Sequence, residues 1–360
     1  MSAEKILYGR TDINMSGPGV VMLKTASHLV RRGYEVSVVS GGGYLEDEFK
    51  ANGVNVHVIE ELAINKRSML NVVFATIKLR RIIRKNNIKI IHGHSMLFTL
   101  IAYIATIFSG VKYKFFTTIH GVGKEWVCKY LPGTIIVVSS YLKNHLVGLG
   151  VNKEKISILP NGLIEVPLSD KDKNEGELLK FKKVSDKFII INVAMMLESK
   201  GHYEAICVLE KLLEYKCNVE MLFVGDGVKK EELISKSKEK GVCSNIQFLG
   251  VRKDVSDLLA GSDLFLHLPA SETFGMSIME AMSERLPVIA SNAGAIPELI
   301  NDGYNGYLVE RSDSEAIALK VIYLIENRGV RKMLGDNSFK VISDSYQIKK
   351  TIDDLVSLYG

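Results

Sequence analysis

The strongest chemical signal in the chain is the run Glu272-Thr-Phe-Gly-Met-Ser-Ile-Met-Glu280, followed by Ala281-Met282 and later by Leu286-Pro287-Val288. Glu272 falls in a loop after an apolar, strand-like run, and Glu280 falls inside the helical stretch expected at 275–284. A helix start offers unpaired N–H donors and the positive end of a dipole, which suits a phosphate. The amides of Phe274, Gly275 and Met276 stand at that start. The Glu280 side chain leans back toward the same end, and a carboxylate accepts both hydroxyls of a sugar diol such as ribose. Glu272 can hold a second sugar. Anion donors flanked by two polyol-binding carboxylates describe a nucleotide-sugar site. The same spacing is also met by an exposed loop glutamate and a surface helix glutamate, and the motif alone leaves that open.

The elements that must position these residues alternate along the chain. Strands are expected at 5–8, 35–40, 54–59, 89–91, 115–119, 135–138 and 156–159, with helices at 20–32 and 68–85. After a polar, charged stretch the alternation restarts. Strands follow at 188–194, 219–224, 246–249, 264–268, 288–290 and 306–309, and helices at 202–215, 229–240, 255–260 and 275–284. Strands that are apolar throughout, separated by helices, imply a parallel sheet covered on both faces. The fold class is therefore α/β, with two tandem Rossmann-like doubly wound domains and an inter-domain cleft. The expected limits are 1–165 for a first domain, 166–187 for a linker, 188–340 for a second domain that holds the nucleotide-sugar run, and 341–360 for a C-terminal helix packing back on the first domain.

Ligands of doubly wound sheets sit beyond the carboxyl ends of the strands. That singles out Gly17, Gly19, His94, His120, Asn161, Lys200, Gly225-Asp226-Gly227, Val251, Arg252 and the segment Ser271 to Met276. His92 and His94 are two apart, but a metal pair needs further ligands, so no metal is expected. His120 taken alone reads equally as a packed or capping residue. Gly225-Asp226-Gly227 reads equally as a phosphate turn or a plain strand-to-helix turn.

The chain has 360 residues, 47% apolar and 24% charged, which excludes a disordered chain, a collagen-like repeat and a small disulfide scaffold. Residues 1–165 carry 21 basic and 11 acidic side chains and the remainder 25 and 30, so a basic half precedes an acidic one. A basic half suits a phosphorylated substrate or an anionic membrane. The helix at 68–85 carries Lys78, Arg80, Arg81, Arg84 and Lys85, and its stripe of Leu70, Val73, Phe74 and Ile77 is expected to face the core. No run of stacking aromatics or recognition motif points to nucleic acid. Cys128, Cys207, Cys217 and Cys243 form no C-x-x-C pair, and the first residues show no signal-peptide core, so a cytoplasmic location is expected. Residues 96–108 are too few to span a bilayer and read as a buried helix.

The segment PASETFGMSIMEAMSERLPVIASNAGAIPELI closely resembles the E-x7-E region of the GT-B glycosyltransferases of family 4, a large retaining group. RRGYEVSVVS, IKIIHGHS, FFTTIHG, IVVSSYLKNHL, ISILPNGL, VAMMLESKGH, LFVGDG and FLGVRKDVSDLLAGSDLFLHLP match other stretches of that family in order, over nearly the whole chain. The resemblance implies that Glu280 binds the donor ribose and Glu272 the transferred sugar. It implies that Lys200 meets the diphosphate, and that the amides of Phe274, Gly275 and Met276 hold sugar hydroxyls and phosphate. Gly17 and Gly19 then let the backbone approach donor and acceptor, His120 lies near the reacting sugar, and the backbone around Val251 lies near the base. His120, Glu272 and Lys200 are the expected catalytic group.

One departure matters. The family usually has Gly-Arg a few residues before the lysine, and here those positions are Ala194 and Met195. An arginine–phosphate pair is a strong charge-assisted contact. Arg10, Lys124 and Arg252 are the candidates to replace it.

The activity implied is a metal-independent, hexosyltransferase-type transfer with retention, from a nucleotide-sugar, UDP-linked, to a glycan or lipid-linked acceptor in cell-surface polysaccharide or glycolipid synthesis. No cofactor is expected. The basic first domain would touch the inner face of an anionic membrane. Two alternatives stand beside it: a nucleotide-sugar epimerase of the same architecture, and a degenerate nucleotide-sugar-binding protein.

Overall fold

The computed structural model describes residues 4–14, 16–66, 68–123, 125–162 and 186–360. In chain order its elements are β1 (Lys5–Gly9), α1 (Gly17–Arg31), β2 (Glu35–Ser40), α2 (Glu46–Ala51), β3 (Asn55–Val58), α3 (Met69–Lys85), β4 (Ile90–Gly93), α4 (Met96–Thr106), β5 (Lys114–Ile119), β6 (Thr134–Val137), α5 (Ser140–Gly148) and β7 (Ile156–Ile158). They continue with β8 (Phe188–Val193), α6 (His202–Glu214), β9 (Val219–Val224), α7 (Lys230–Glu239), β10 (Ile246–Gly250), α8 (Val255–Ala260), β11 (Leu264–His267), α9 (Met276–Ser283), β12 (Val288–Ser291), α10 (Ile296–Leu299), β13 (Tyr307–Val309), α11 (Ser314–Glu326), α12 (Arg328–Ser345) and α13 (Ile348–Tyr359). The chain forms two compact units, Met1–Gly162 with Ile348–Gly360, and Leu163–Gln347.

Unit 1 is built on a seven-stranded parallel sheet in the order β3-β2-β1-β4-β5-β6-β7. Unit 2 is built on a six-stranded parallel sheet in the order β10-β9-β8-β11-β12-β13. Both are Rossmann-like. In each, the strand order reverses beside the first strand, between β1 and β4 and between β8 and β11, and a crevice opens there at the carboxyl ends. Four helices of unit 1 start on a serine cap: Ser16, Ser68, Ser95 and Ser139 accept from the amides of Gly19, Asn71, Phe98 and Leu142. Each such cap is worth about 1 kcal/mol.

The structure departs from the sequence reading at several points. α1 starts at Gly17 rather than at residue 20, so Gly17, Pro18 and Gly19 form its first turn, where proline's missing N–H costs nothing. A Cβ on Gly19 would lie 2.2 Å from the Asn14 carbonyl oxygen. α3 turns the opposite way from expectation. Leu70, Val73, Phe74 and Ile77 are exposed, and Ala75, Leu79 and Ile83 are the buried residues. The helix carries two apolar stripes, and the one spaced by fours along its length docks on unit 1. The expected terminal helix at 341–360 is split: α12 ends at Ser345 in unit 2, and α13 packs in unit 1 through Ile348, Ile352, Leu355 and Tyr359. Of the linker expected at 166–187, residues 166–185 lie outside the described residues, as does Lys124. The four cysteines are unpaired, and among the described residues no helix is long and apolar enough to cross a membrane.

Candidate functional site

The carboxyl ends of β8 and β11 bring together residues far apart in sequence. Past β8, a short turn carries Lys200, and Gly201 follows with φ +78° and no room for a Cβ, which would sit 1.9 Å from the Leu268 carbonyl oxygen. Past β11, the Ala270 amide donates to the Ser199 carbonyl at 2.8 Å, so the two loops are stitched together. Gly294, with φ +60°, lets the β12–α10 loop close on Glu272, and the Ala295 amide donates to the Glu272 carbonyl at 2.8 Å. These constraints place Lys200 Nζ 2.7 Å from Glu272 Oε2. Glu272 Oε1 accepts from the Thr273 amide at 3.0 Å.

Glu272 is strongly perturbed. Burial pushes its pKa up, but His267 and Lys200 outweigh it and hold the carboxyl down at about 2. His267, fully buried on β11, has its Nε2 3.7 Å from Glu272 Oε2. Burial in turn pushes His267 down, against the pull of Glu272.

Just beyond Glu272, Phe274 is buried against Tyr346, and Gly275 caps α9 with φ +97°. The helix begins at Met276, so Phe274 and Gly275 precede it, one residue off the expected start at 275. Glu280 is half-buried one helical turn further along. Val251 follows β10, the outermost strand of the same sheet, and is 71% exposed. Met195 is 59% exposed and carries no charge where the resemblance expects an arginine. Arg252 is occupied by a two-point pair with Asp254, at 2.8 and 2.5 Å. A cavity of about 600 Å3 opens beside the Lys200 loop, lined by Leu197, His202, Lys229 and Arg311 among others, but by none of the expected donor residues.

Unit 1 has its own cluster at the corresponding edge. His94, past β4, donates its amide to Gly9 at 2.7 Å and pairs its Nδ1 with His120 Nε2 at 3.0 Å. The rings of His92, His94 and His120 stack in a column, with centroids 4.6 and 5.3 Å apart. His92 is tied to Tyr359 Oη at 2.6 Å and to Thr118 Oγ1 at 2.7 Å. Burial above all, with Arg10 acting on His94 and His120 and with the repulsion the rings would feel if protonated together, drops His92 and His120 to about 3 and puts His94 well below its usual value. All three rings are neutral at pH 7. Arg10 lies in this cluster, where it lowers His120, and donates to Ser16 Oγ at 3.4 Å. Arg10 thus stands in unit 1 beside Ser16, the cap of the helix that Gly17 and Gly19 open. Among the described residues no group of three or more acidic, His or Cys side chains is placed to hold a metal ion.

Three residues of this arrangement escape sequence reasoning. Asn192 and His267 are single polar residues inside apolar strands, and His202 opens an amphipathic helix; all three are buried. Their only signal in the sequence is that polarity.

Comparison with known proteins shows a family and a fold. The model of glycosyltransferase family 4 matches residues 15–164, and that of the glycosyl transferases group 1 matches residues 175–341. The chain is 24% identical to N-acetyl-alpha-D-glucosaminyl L-malate synthase of Bacillus anthracis, over 96% of this chain and 94% of that protein. It is 28% identical to the capsular polysaccharide biosynthesis glycosyltransferase CapM of Staphylococcus aureus, over 66% of this chain and 63% of that one. In fold it is similar to a glycosyltransferase from Rickettsia africae, with a TM-score of 0.86 and 22% identity, covering 100% of this chain and 98% of that one. It is also similar to HepE from Anabaena in complex with UDP-glucose, with a TM-score of 0.82 and 20% identity, covering 98% and 99%.

Proposed function

We infer the reaction from the premise that this chain belongs to the group 1, family 4 glycosyltransferases of GT-B fold: it moves a sugar from a UDP-sugar to a glycan or lipid-linked acceptor of the cell surface. The observation that carries this reading is the pair Lys200–Glu272, 72 residues apart in sequence and 2.7 Å apart in space, at the strand ends just before α9. Lys200 takes the donor diphosphate, Glu272 the transferred sugar and Glu280 the ribose. The amides around Phe274, Gly275 and Met276 meet sugar hydroxyls and phosphate, and the Val251 backbone meets the base. As the glycosidic bond breaks, charge grows on the leaving diphosphate, and a fixed lysine with a helix N-terminus stabilises it without reorganising. These residues supply that charge themselves, so the transfer needs no metal. Attack on the same face, assisted by the leaving phosphate, gives retention.

Unit 1 supplies groups for the acceptor and the sugar. A neutral His120 offers one donor or acceptor to a hydroxyl without bringing a charge that must be desolvated. Its α3 face supports contact with an anionic membrane. Leu70 is 64% exposed and Phe108, just past α4, 82%. Arg80 donates to the Phe108 carbonyl at 3.3 Å, so the basic end of α3 borders the exposed Phe108. Apolar groups flanked by Arg80, Arg81, Arg84 and Lys85 fit an interface where each cation gains ~1 kcal/mol from acidic lipid.

Thermal unfolding with a panel of nucleotides and nucleotide-sugars in EDTA tests the donor site. A ligand at ~100 times its Kd adds about 2.7 kcal/mol, a rise of roughly 2–4 °C for a chain of this size. A rise with UDP or one UDP-sugar is expected. No rise with any nucleotide overturns the donor site, and a rise that requires a divalent cation in place of EDTA overturns the metal-independent reading. The anomeric configuration of the product, read by NMR, decides retention.

A further inference from the structure

Beneath Glu272 lies a buried polar chain that the roles above do not use. Asn192 on β8 and His267 on β11 sit on neighbouring strands, each 1% exposed. An amide and an imidazole inside an apolar sheet are costly unless their hydrogen bonds are met. Asn192 Nδ2 donates to the Leu266 carbonyl at 2.7 Å and lies 3.3 Å from His267 Nδ1. The Leu266 carbonyl fixes the amide orientation, because a flipped amide would set oxygen against oxygen. The second amide hydrogen then points at His267 Nδ1, which must accept, and the ring proton resides on Nε2. That Nε2 is buried with no hydrogen-bond partner, 3.7 Å from the Glu272 oxygen that Lys200 already holds. Closing it to a normal hydrogen bond takes a shift of about 0.8 Å.

Two donors thus face one carboxylate oxygen, Lys200 at hydrogen-bond distance and His267 just beyond it. We propose that His267 is the alternate partner of Glu272: when a diphosphate draws Lys200 away, the carboxylate moves onto His267 Nε2–H, and Asn192 keeps the proton on that nitrogen. This rests on the donor role assigned to Lys200. Without His267, removing Lys200 would leave a largely buried carboxylate with only the Thr273 amide, a strongly unfavourable state. Glu272 would then retain Lys200 and compete with the incoming phosphate. His267 is a positioning residue in this scheme, since it acts through Glu272. The other groups facing its ring are Asn192, His202, Lys200 and Phe265. His202 is neutral, held to about 4 by burial with help from His267 and Lys200, so it does not compete for Glu272 as a cation.

A double-mutant cycle tests the exchange, with UDP as the probe and Kd measured calorimetrically for the parent, His267→Leu, Glu272→Gln and the double variant. His267→Leu should weaken UDP binding about tenfold, the scale of a hydrogen bond to a charged group. Glu272→Gln should tighten it several-fold by freeing Lys200, and the double variant should match Glu272→Gln. His267→Gln, which keeps a donor, should bind like the parent. If His267→Leu weakens binding equally in both backgrounds, or in neither, the exchange is wrong.

If the parent itself does not bind UDP, the donor assignment fails and the exchange is read without ligand. Nitrogen-15 spectra of the histidines should show His267 as the Nε2–H tautomer in the parent. In Lys200→Ala its pKa should rise as Glu272 moves onto it. A His267 resonance that ignores Lys200→Ala overturns the proposal.

Discussion

The two units share a strand order and gather polar residues at the carboxyl ends of central strands, β4 and β5 in unit 1 and β8 and β11 in unit 2, yet they fill that place with opposite chemistry. In unit 1 the strand ends carry a column of neutral imidazoles tied to hydroxyls, His92 to Thr118 and Tyr359, and His94 to His120. In unit 2 they carry an ionised lysine–glutamate pair. Neutral donors and acceptors lose little when water leaves, which suits uncharged hydroxyls. An ion pair holds a cation ready for a polyanion and costs more to open. One backbone plan therefore presents two polar chemistries at its strand ends, a neutral one in unit 1 and an ionic one in unit 2.

Acid gives the largest effect that sharpens this contrast. In the unfolded chain the imidazoles take up protons below about pH 6.5, whereas folded His92 and His120 wait until about 3. Over that interval the unfolded state binds more protons, so the stability of unit 1 is full above pH 6.5 and declines as pH falls toward 3. Each ring contributes a slope of about 1.4 kcal/mol per pH unit. Glu272 in unit 2 has its pKa lowered from 4.5 to about 2, so its contribution is intact above 4.5 and is lost only as pH falls from there to 2. Urea unfolding followed through Trp126, the single tryptophan and a residue of unit 1, should show the first decline, and His120→Gln should flatten it by one ring's slope. A midpoint that stays constant from pH 6.5 to 4 would break the contrast.

Next in size is Lys200→Ala. Losing a charge-assisted phosphate contact should weaken UDP binding about ten- to hundredfold, while His120→Gln leaves UDP affinity within about twofold. Calorimetry on both variants separates the two units' roles. Met195→Arg comes third. A guanidinium at the exposed position past β8 should tighten UDP binding several-fold, and unchanged affinity would mean that Lys200 already meets the whole charge requirement.

The smallest effect concerns the α3 surface. Replacing Leu70 and Phe108 by serine should reduce sedimentation with phosphatidylglycerol vesicles several-fold and leave UDP affinity unaltered. Equal sedimentation of variant and parent removes the membrane from the picture.

Much of this arrangement is legible in the chain. The apolar strands are long enough to be placed within a residue or two, and β2, β9 and α8 coincide with their expected limits. Glu272 and Lys200 are readable because both follow strands and carry charge into loops. The face of α3 was not readable, because Leu70, Phe74 and Ile77 make as good a stripe as Ala75, Leu79 and Ile83 until the partner surface is known. Asn192 and His267 escaped for a different reason. Each is a lone polar residue in an apolar strand, and what makes them a pair is the β8–β11 register, which sequence periodicity does not contain.

The return of α13 has a consequence for how the molecule is made. Tyr359 bonds Tyr8 across 351 residues, and Arg32 pairs with Asp353 at 2.6 Å. Topologically, unit 2 is an insertion within unit 1. On a growing chain, β1 to β7 leave the ribosome long before residues 348–360 exist to cover Tyr8 and Ile6, whereas unit 2 is contiguous and has all its strands at hand. The earlier-synthesised unit should thus finish folding last, delayed by the closure of a very long loop. Until then it exposes the apolar groove meant for α13, which makes this groove the natural point of chaperone capture or of misassembly with a neighbouring chain.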